Sequence, residues 1–218
     1  MSILINNLTA PIKTLKQALV IVKGFTKTEK MPSLSYSLPA KDCNKGSQLR
    51  EIKGSVCSIC YALKGNYVRY PNIVKVQVKR LKSIDDSRWV DAMSFIINRK
   101  KVIKDSGVFR WHDSGDIQSL NHFEKILQVV RNTPTIQHWL PTKESALVKN
   151  YKGLLPENLI IRLSGSMIDG KAPIYTNTST AVSTKDSATC KAFEHDGKCN
   201  DCRKCWDKSI KTISYLVH

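Results

Sequence analysis

The seven cysteines of this chain fall into two groups whose spacing is typical of metal binding. Cys43, Cys57 and Cys60 lie early, and the last two form a C-x2-C pair. The late group comprises Cys190, Cys199, Cys202 and Cys205, of which the last three form a C-x2-C-x2-C run. Three thiolates plus four are the ligands of two [4Fe-4S] clusters, the first of which keeps one iron open to an outside ligand. The spacing therefore predicts two iron–sulfur sites that use all seven cysteines.

Zinc is the alternative metal at both sites. A C-x2-C pair is also common in zinc proteins, where a histidine such as His112 or His138 would complete a tetrahedron with the early cysteines. The late run would equally suit a zinc knuckle, or a cluster that only holds the C-terminal segment in place. A structural role for the late site is as well supported as a role in electron transfer.

The composition indicates a cytoplasmic protein with an anionic partner. A length of 218 residues with 41% hydrophobic content is ordinary for one soluble domain. The start of the chain lacks the pattern of a secretory signal, and no apolar run reaches the roughly 18 residues of a membrane span, so we expect no membrane partner. The odd number of cysteines also fits a closed set of disulfides poorly. A net charge of +17 favours a nucleic-acid partner.

The basic residues are concentrated in one stretch. Residues 64–104 carry eleven lysines and arginines against three aspartates. Part of this stretch, 72–83, has an ambiguous hydrophobic period. A solvated helical face is an equally good interpretation of these charges, so they support a nucleic-acid partner without identifying one.

The periodicity of apolar residues predicts alternating strands and helices. Alternation over 31–40 predicts a strand that carries Cys43 at its C-terminal end, and a Ser87 cap begins a helix that runs to about Ile103. Three further strands, 108–113, 136–140 and 159–163, are separated by helical patterns. Such alternation indicates an α/β protein, and we predict a partial (β/α) barrel of about four to six mainly parallel strands.

This interpretation divides the chain into three parts. Residues 1–30 form a peripheral N-terminal segment, and 31–170 form the partial barrel with the first cysteine site. Residues 171–218 form a C-terminal, cysteine-rich segment with the second cluster site. The span 171–189 is rich in Thr and Ser and is expected to be a loop or an edge segment.

Polar residues follow the predicted strands at the point where each strand ends. The C-terminal ends of parallel strands meet at one edge, so these residues and Cys43 are expected to lie together. Gly115 permits close backbone approach, and a carboxylate such as Asp116 could accept hydrogen bonds from an ammonium group. His112 lies in an aromatic strand, where a packed histidine is more common than a catalytic one. The candidate ligand-binding residues are Asp113, Ser114, Gly115, Asp116, Lys143 and Ser164.

Five motifs in order, at 31–40, 57–67, 109–116, 138–144 and 197–207, resemble the gene product 88 family of phages and mobile elements. The resemblance covers roughly residues 30–218 and implies no particular activity, and it implies a location in the host cytoplasm if the gene is carried by a phage.

A more distant similarity is to radical S-adenosylmethionine proteins. Cys57 and Cys60 match the last two cysteines of the cluster loop of that family, and Ser114-Gly115-Asp116 corresponds to its Gly-Gly-Glu-like motif. The resemblance implies that Asp116, Lys143 and Ser164 orient S-adenosylmethionine at the open iron. Two departures are a thirteen-residue gap between Cys43 and Cys57, where the family has three, and an aromatic residue, Tyr61, that follows the last cysteine.

Two classes of function remain open at this point. One is an enzyme that reduces S-adenosylmethionine and directs the resulting radical at a substrate such as nucleic acid. The other is a non-catalytic nucleic-acid-binding or host-interaction protein whose metals, iron–sulfur or zinc, serve only to fold it.

Overall fold

The computed structural model describes residues 10–217, so the first nine residues of the predicted N-terminal segment lie outside it. The strands are β1 (Thr26–Lys27), β2 (Leu34–Tyr36), β3 (Val108–Trp111), β4 (Gln137–Thr142), β5 (Leu159–Ile168), β6 (Thr178–Val182) and β7 (Thr212–Leu216). The helices of the described part are α1 (Leu15–Val22), α2 (Asn44–Arg50), α3 (Asn66–Arg69), α4 (Pro71–Ser83), α5 (Trp89–Arg99), α6 (Lys101–Ser106), α7 (Leu120–Arg131) and α8 (Ser145–Asn150).

The seven strands form one mixed sheet in which spatial order equals chain order. The short edge strand β1 is antiparallel to β2, and every later neighbouring pair from β2 to β7 is parallel. The prediction of an α/β protein with a mainly parallel sheet is confirmed. Within residues 10–217 the strand order is linear from β1 to β7 and no pairing joins the two edge strands, so the partial barrel stays a prediction.

Alternation of side chains gives the sheet two different faces. Phe109 and Trp111 of β3 are fully buried in the main core, where they pack with residues of α1, α5 and α7. Val108 points to the opposite face and belongs to a smaller cluster with Trp139, Ile160 and Trp206. The late cysteine segment, which supplies Trp206, therefore covers the face that the large helices leave open.

Several elements differ from the sequence-based expectation. The predicted helix over 87–103 is two helices, because Lys100 adopts an extended backbone between α5 and α6. The N-terminal segment expected to be peripheral contributes α1, whose Ala18 and Val22 are fully buried in the main core. Residues 171–189 contain β6, and a seventh strand, β7, lies beyond the late cysteines.

The longest described helix, α4, has 13 residues. None of the helices within 10–217 combines the length and the apolar character that a bilayer crossing requires.

Candidate functional site

The early cysteines lie on two turns above the C-terminal ends of the strands. Cys43 follows β2 and is the residue before α2, while Cys57 and Cys60 lie within and just after a 3₁₀ turn over Val56–Ile59. Ser55 fixes this turn, because its Oγ accepts a hydrogen bond from the backbone N–H of Ser58 at 3.0 Å. The turn is tied to β5 by the N–H of Ile168, which donates to the carbonyl of Gly54 at 3.0 Å.

Gly46 shows how closely the early thiols approach each other. A Cβ at this buried position would lie 2.8 Å from Cys43 Cβ, 3.5 Å from Cys43 Sγ and 3.7 Å from Cys57 Sγ. Burial, together with the neighbouring Asp116, Cys60 and Cys57, raises the pKa of Cys43 to about 12. The three half-buried cysteines thus share one site, and a bound cation would be needed to keep them as thiolates.

The histidines considered as zinc ligands are packed in the core. His138 accepts a hydrogen bond from Trp111 Nε1 at 3.2 Å through Nδ1, and its Nε2 lies 2.8 Å from Thr133 Oγ1. His112 packs against His122, with ring centroids 5.4 Å apart. In the part of the chain that the structure describes, no three His, Cys, Asp or Glu side chains are grouped closely enough to hold a single metal ion.

Asp116 is a buried carboxyl group beside the early thiols. It accepts hydrogen bonds from Thr142 Oγ1 at 2.5 Å, from the Lys143 N–H at 2.8 Å and from the Ile117 N–H at 2.8 Å. Burial raises its pKa to about 6 despite these donors. The loop after β3 and the end of β4 are therefore fastened together at a group that can gain a proton near neutrality.

Lys143 brings a positive charge to the same place. Its Nζ donates to the Gly165 carbonyl just after Ser164 on β5. Burial raises the pKa of Cys57, and the charge of Lys143 opposes part of that rise. Ser164 Oγ itself accepts a hydrogen bond from Ser179 Oγ at 3.2 Å. Of the predicted ligand-binding residues, Asp116 and Lys143 are thus those coupled directly to the early thiols.

The structure places Ser114 and Gly115 in the packing between β2 and β3. Ser114 Oγ donates to the Leu38 carbonyl at 3.0 Å. Gly115 has φ +79°, and a Cβ there would lie 2.5 Å from Leu38 Cβ. Asp113 accepts a hydrogen bond from Ser35 Oγ at 2.6 Å, and its second carboxylate oxygen is buried with no partner among residues 10–217. The positive φ and the close approach to Leu38 explain why the turn requires glycine at position 115.

The late cysteine loop is held from beneath by Arg162 of β5. This fully buried guanidinium donates to the backbone carbonyls of Cys205, Lys204, Asp207 and Ile210 at 2.8–3.1 Å. Cys205 Sγ lies 3.1 Å from Tyr215 Oη. Burial raises the pKa of Cys199, with Cys190 and Cys202 adding to the effect, so these thiols also lie near one another.

The family model of gene product 88 matches residues 9–208, a range that contains both cysteine groups and strands β1 to β6. The chain belongs to the gene product 88 family. No curated protein and no solved structure matched it significantly. Family membership was expected from the five motifs and is confirmed, whereas it assigns no chemistry to the gene product 88 site.

The sequence assigns no role to Arg110, and it marks Tyr61 only as the aromatic residue after Cys60. Arg110 of β3 faces away from the main core, with its guanidinium carbon 4.6 Å from the centroid of the Trp139 ring. Tyr61 donates its hydroxyl to the carbonyl of Asp113, so it joins the early cysteine turn to the end of β3. The only sequence signal for Arg110 is a charged residue within an aromatic strand, and its alternation with Trp111 would have placed it on the opposite face.

Proposed function

We propose that this protein holds two [4Fe-4S] clusters and that the early one binds S-adenosylmethionine for radical chemistry. The observation that carries the proposal is the convergence of Cys43, Cys57 and Cys60 at the C-terminal edge of a sequentially ordered parallel sheet, beside Asp116 and Lys143. Among the described residues these thiols are not grouped tightly enough to hold one ion, and a cluster suits that spacing because its thiolates bind separate irons and lie farther apart.

The sheet order supports the same proposal. Six parallel strands in chain order, with the site at their C-terminal edge, are the arrangement of an opened (β/α) barrel, in which active sites lie at that edge. The partial barrel related to radical S-adenosylmethionine proteins therefore stays part of the proposal. The thirteen-residue gap between Cys43 and Cys57 accommodates α2, which carries the glycine over which both thiols meet.

When bound, the early cluster would supply one electron, received from a low-potential donor, to break a sulfonium carbon–sulfur bond and leave methionine and a carbon radical. The residues of the chain would bind and orient the cofactor. Asp116 uses three of about four acceptor positions of a carboxylate, so one remains for the cofactor's ammonium group. Lys143 uses one of three N–H donors on Gly165 and keeps two for a carboxylate.

Cys190, Cys199, Cys202 and Cys205 would hold the second cluster entirely with protein ligands. Its loop packs on the sheet face opposite the main core, and Arg162 and Trp206 attach it to β5 and β3. That attachment supports a role in stabilising the fold. The same attachment would also be needed if the second cluster passed electrons to the early one, so it is compatible with both roles.

The test is metal analysis of protein purified without oxygen, with matched cysteine variants. We expect about eight irons per chain, and a change in the electron paramagnetic resonance spectrum of one cluster when S-adenosylmethionine is added. Replacing Cys43, Cys57 and Cys60 with Ser should remove that response and half of the iron. The matched control, with Cys199, Cys202 and Cys205 replaced by Ser, should lose the other half and retain the response. Colourless protein that contains zinc would refute the proposal.

The second candidate is a non-catalytic nucleic-acid-binding or host-interaction protein with structural metal sites. The large excess of basic residues favours it, because residues 10–217 contain only three ion pairs. Brown protein whose spectrum ignores S-adenosylmethionine would decide for this candidate.

A further inference from the structure

A groove of about 790 Å³ lies between α4 and the segment that leads into the early cysteine turns. Five of its lining residues are basic and none is acidic: Lys41, Arg50, Lys75, Lys79 and Lys82. The three lysines of α4 follow a spacing of four and three residues, so they occupy one helical face over about 10 Å. None of the five basic residues takes part in an ion pair within the described chain.

The floor of this groove is apolar and aromatic. Leu63, Tyr67, Val74 and Val78 line it together with the basic residues. Gln77 also lines it, is only 2% exposed, and has a side-chain amide nitrogen without a partner among residues 10–217. A buried amide that lacks a partner is costly, so this donor indicates a polar ligand within the groove.

The groove leads to the early thiols. Arg50 lines it and is the last residue of α2, the helix that begins directly after Cys43. Tyr67 packs edge-on against Tyr61, the residue after Cys60, with ring centroids 6.1 Å apart. A chain molecule bound along α4 would therefore end at the site proposed for the early cluster.

We propose that this groove binds a single-stranded polynucleotide, with phosphates along the α4 lysines and bases against the apolar floor. Lysines alone would attract any polyanion, but bases are free to pack on apolar and aromatic side chains only in a single strand. The delivery of a nucleotide to the early cysteines rests on the proposed function. Binding in the groove does not.

The test is fluorescence anisotropy of the full protein with labelled oligothymidylate and oligouridylate of about 16 nucleotides. We expect the variant with Lys75, Lys79 and Lys82 changed to Glu to bind at least about tenfold more weakly, and the slope of log K against log salt to fall by about 2, from three lost phosphate contacts. A matched control changes the exposed Lys104, Lys208 and Lys211 to Glu. These lysines precede the N-terminal ends of β3 and β7, so the control should bind nearly as the parent does.

A bromouracil-substituted oligonucleotide should cross-link on irradiation to the peptide that contains Tyr67. Equal weakening in both triple variants, or cross-links confined to other peptides, would overturn the proposal. So would equally tight binding of duplex DNA or of phosphatidylserine vesicles. If the groove triple does not fold, Lys79→Glu alone carries the same comparison. Because anisotropy uses neither iron nor S-adenosylmethionine, loss of the cluster proposal and loss of the groove proposal are separate results.

Discussion

The two cysteine groups are held in opposite ways. Around the early group, side chains that can change charge, Asp116 and Lys143, lie beside the thiols, and the basic groove leads to them. Around the late group the stabilising contacts go to backbone atoms, because Arg162 and Trp206 bind carbonyls. The contrast supports the proposal that the early group exchanges ligands and that the late group has a structural role.

The two sites also differ in how their buried charges are compensated. Arg162 is a buried cation whose charge is compensated by carbonyl dipoles in place of an anion, so removing it leaves several acceptors unsatisfied. At the early site, each charged group retains capacity for further hydrogen bonds. The same sheet thus supports a loop fixed by backbone contacts on one face and, at its C-terminal edge, the site proposed to bind a ligand.

The largest expected effect is the loss of stability when the late cysteine loop is no longer held by Arg162. Arg162→Met removes the donors to four carbonyls and should lower the free energy of unfolding by about 4 kcal/mol or more, measured by urea denaturation. Arg162→Lys should recover part of this loss. Lys191→Ala, which breaks an exposed ion pair of the same loop, is the control and should change stability by less than about 0.5 kcal/mol. Equal losses in Arg162→Met and Lys191→Ala would contradict the role assigned to Arg162.

The next largest effect is the loss of stability when the turn at Gly115, beside the early cysteines, is overpacked. Gly115→Ala places a Cβ against Leu38 at a positive φ and should cost about 2–4 kcal/mol in urea denaturation. Gly107→Ala is the matched control, because its φ is +65° and nothing lies within 4 Å of the added Cβ. That control should cost only about 1 kcal/mol. A similar loss in both variants would show that backbone strain alone is responsible.

The third prediction sharpens the difference through pH. The pKa of Asp116 is raised from 3.8 in the unfolded chain to about 6 by burial, so the folded state binds this proton more tightly. The stabilisation that comes from binding this proton is complete below about pH 4 and is lost as the pH rises through about 6. The free energy of unfolding should fall by up to about 3 kcal/mol over that range. Urea denaturation from pH 4 to 7 should therefore show a fall in the parent relative to Asp116→Asn. A constant difference between the two proteins would refute the raised pKa.

The smallest effect concerns the link between the early turn and β3. Tyr61→Phe removes the hydrogen bond to the Asp113 carbonyl and should cost about 1 kcal/mol in urea denaturation. Tyr70→Phe is the control, since Tyr70 is 54% exposed and its hydroxyl has no partner among the described residues. An unchanged Tyr61→Phe variant would mean that the turn is positioned by its backbone alone.

The strands from β2 to β5 could be predicted because aromatic and branched residues alternate there and polar residues mark their ends. β6 could not, because Thr178–Val182 has no apolar alternation and is stabilised by neighbours such as Thr212, whose hydroxyl lies 2.8 Å from that of Thr178. Cys43 and Asp116 were expected to lie together from the rule of strand ends, whereas Cys57 and Cys60 were grouped with Cys43 by the spacing of the cysteines. Arg162 did not, because its partners are carbonyls more than forty residues away along the chain.

Because each strand pairs only with its predecessor and its successor in the chain, the sheet can grow in one direction as the ribosome delivers it. Every element that surrounds Cys43, Cys57 and Cys60 has emerged once β5 is complete, well before Cys199 is synthesised. We therefore expect the surroundings of the early cysteines to fold first during synthesis, and the late cysteine loop to pack last on the opposite face of an almost complete sheet.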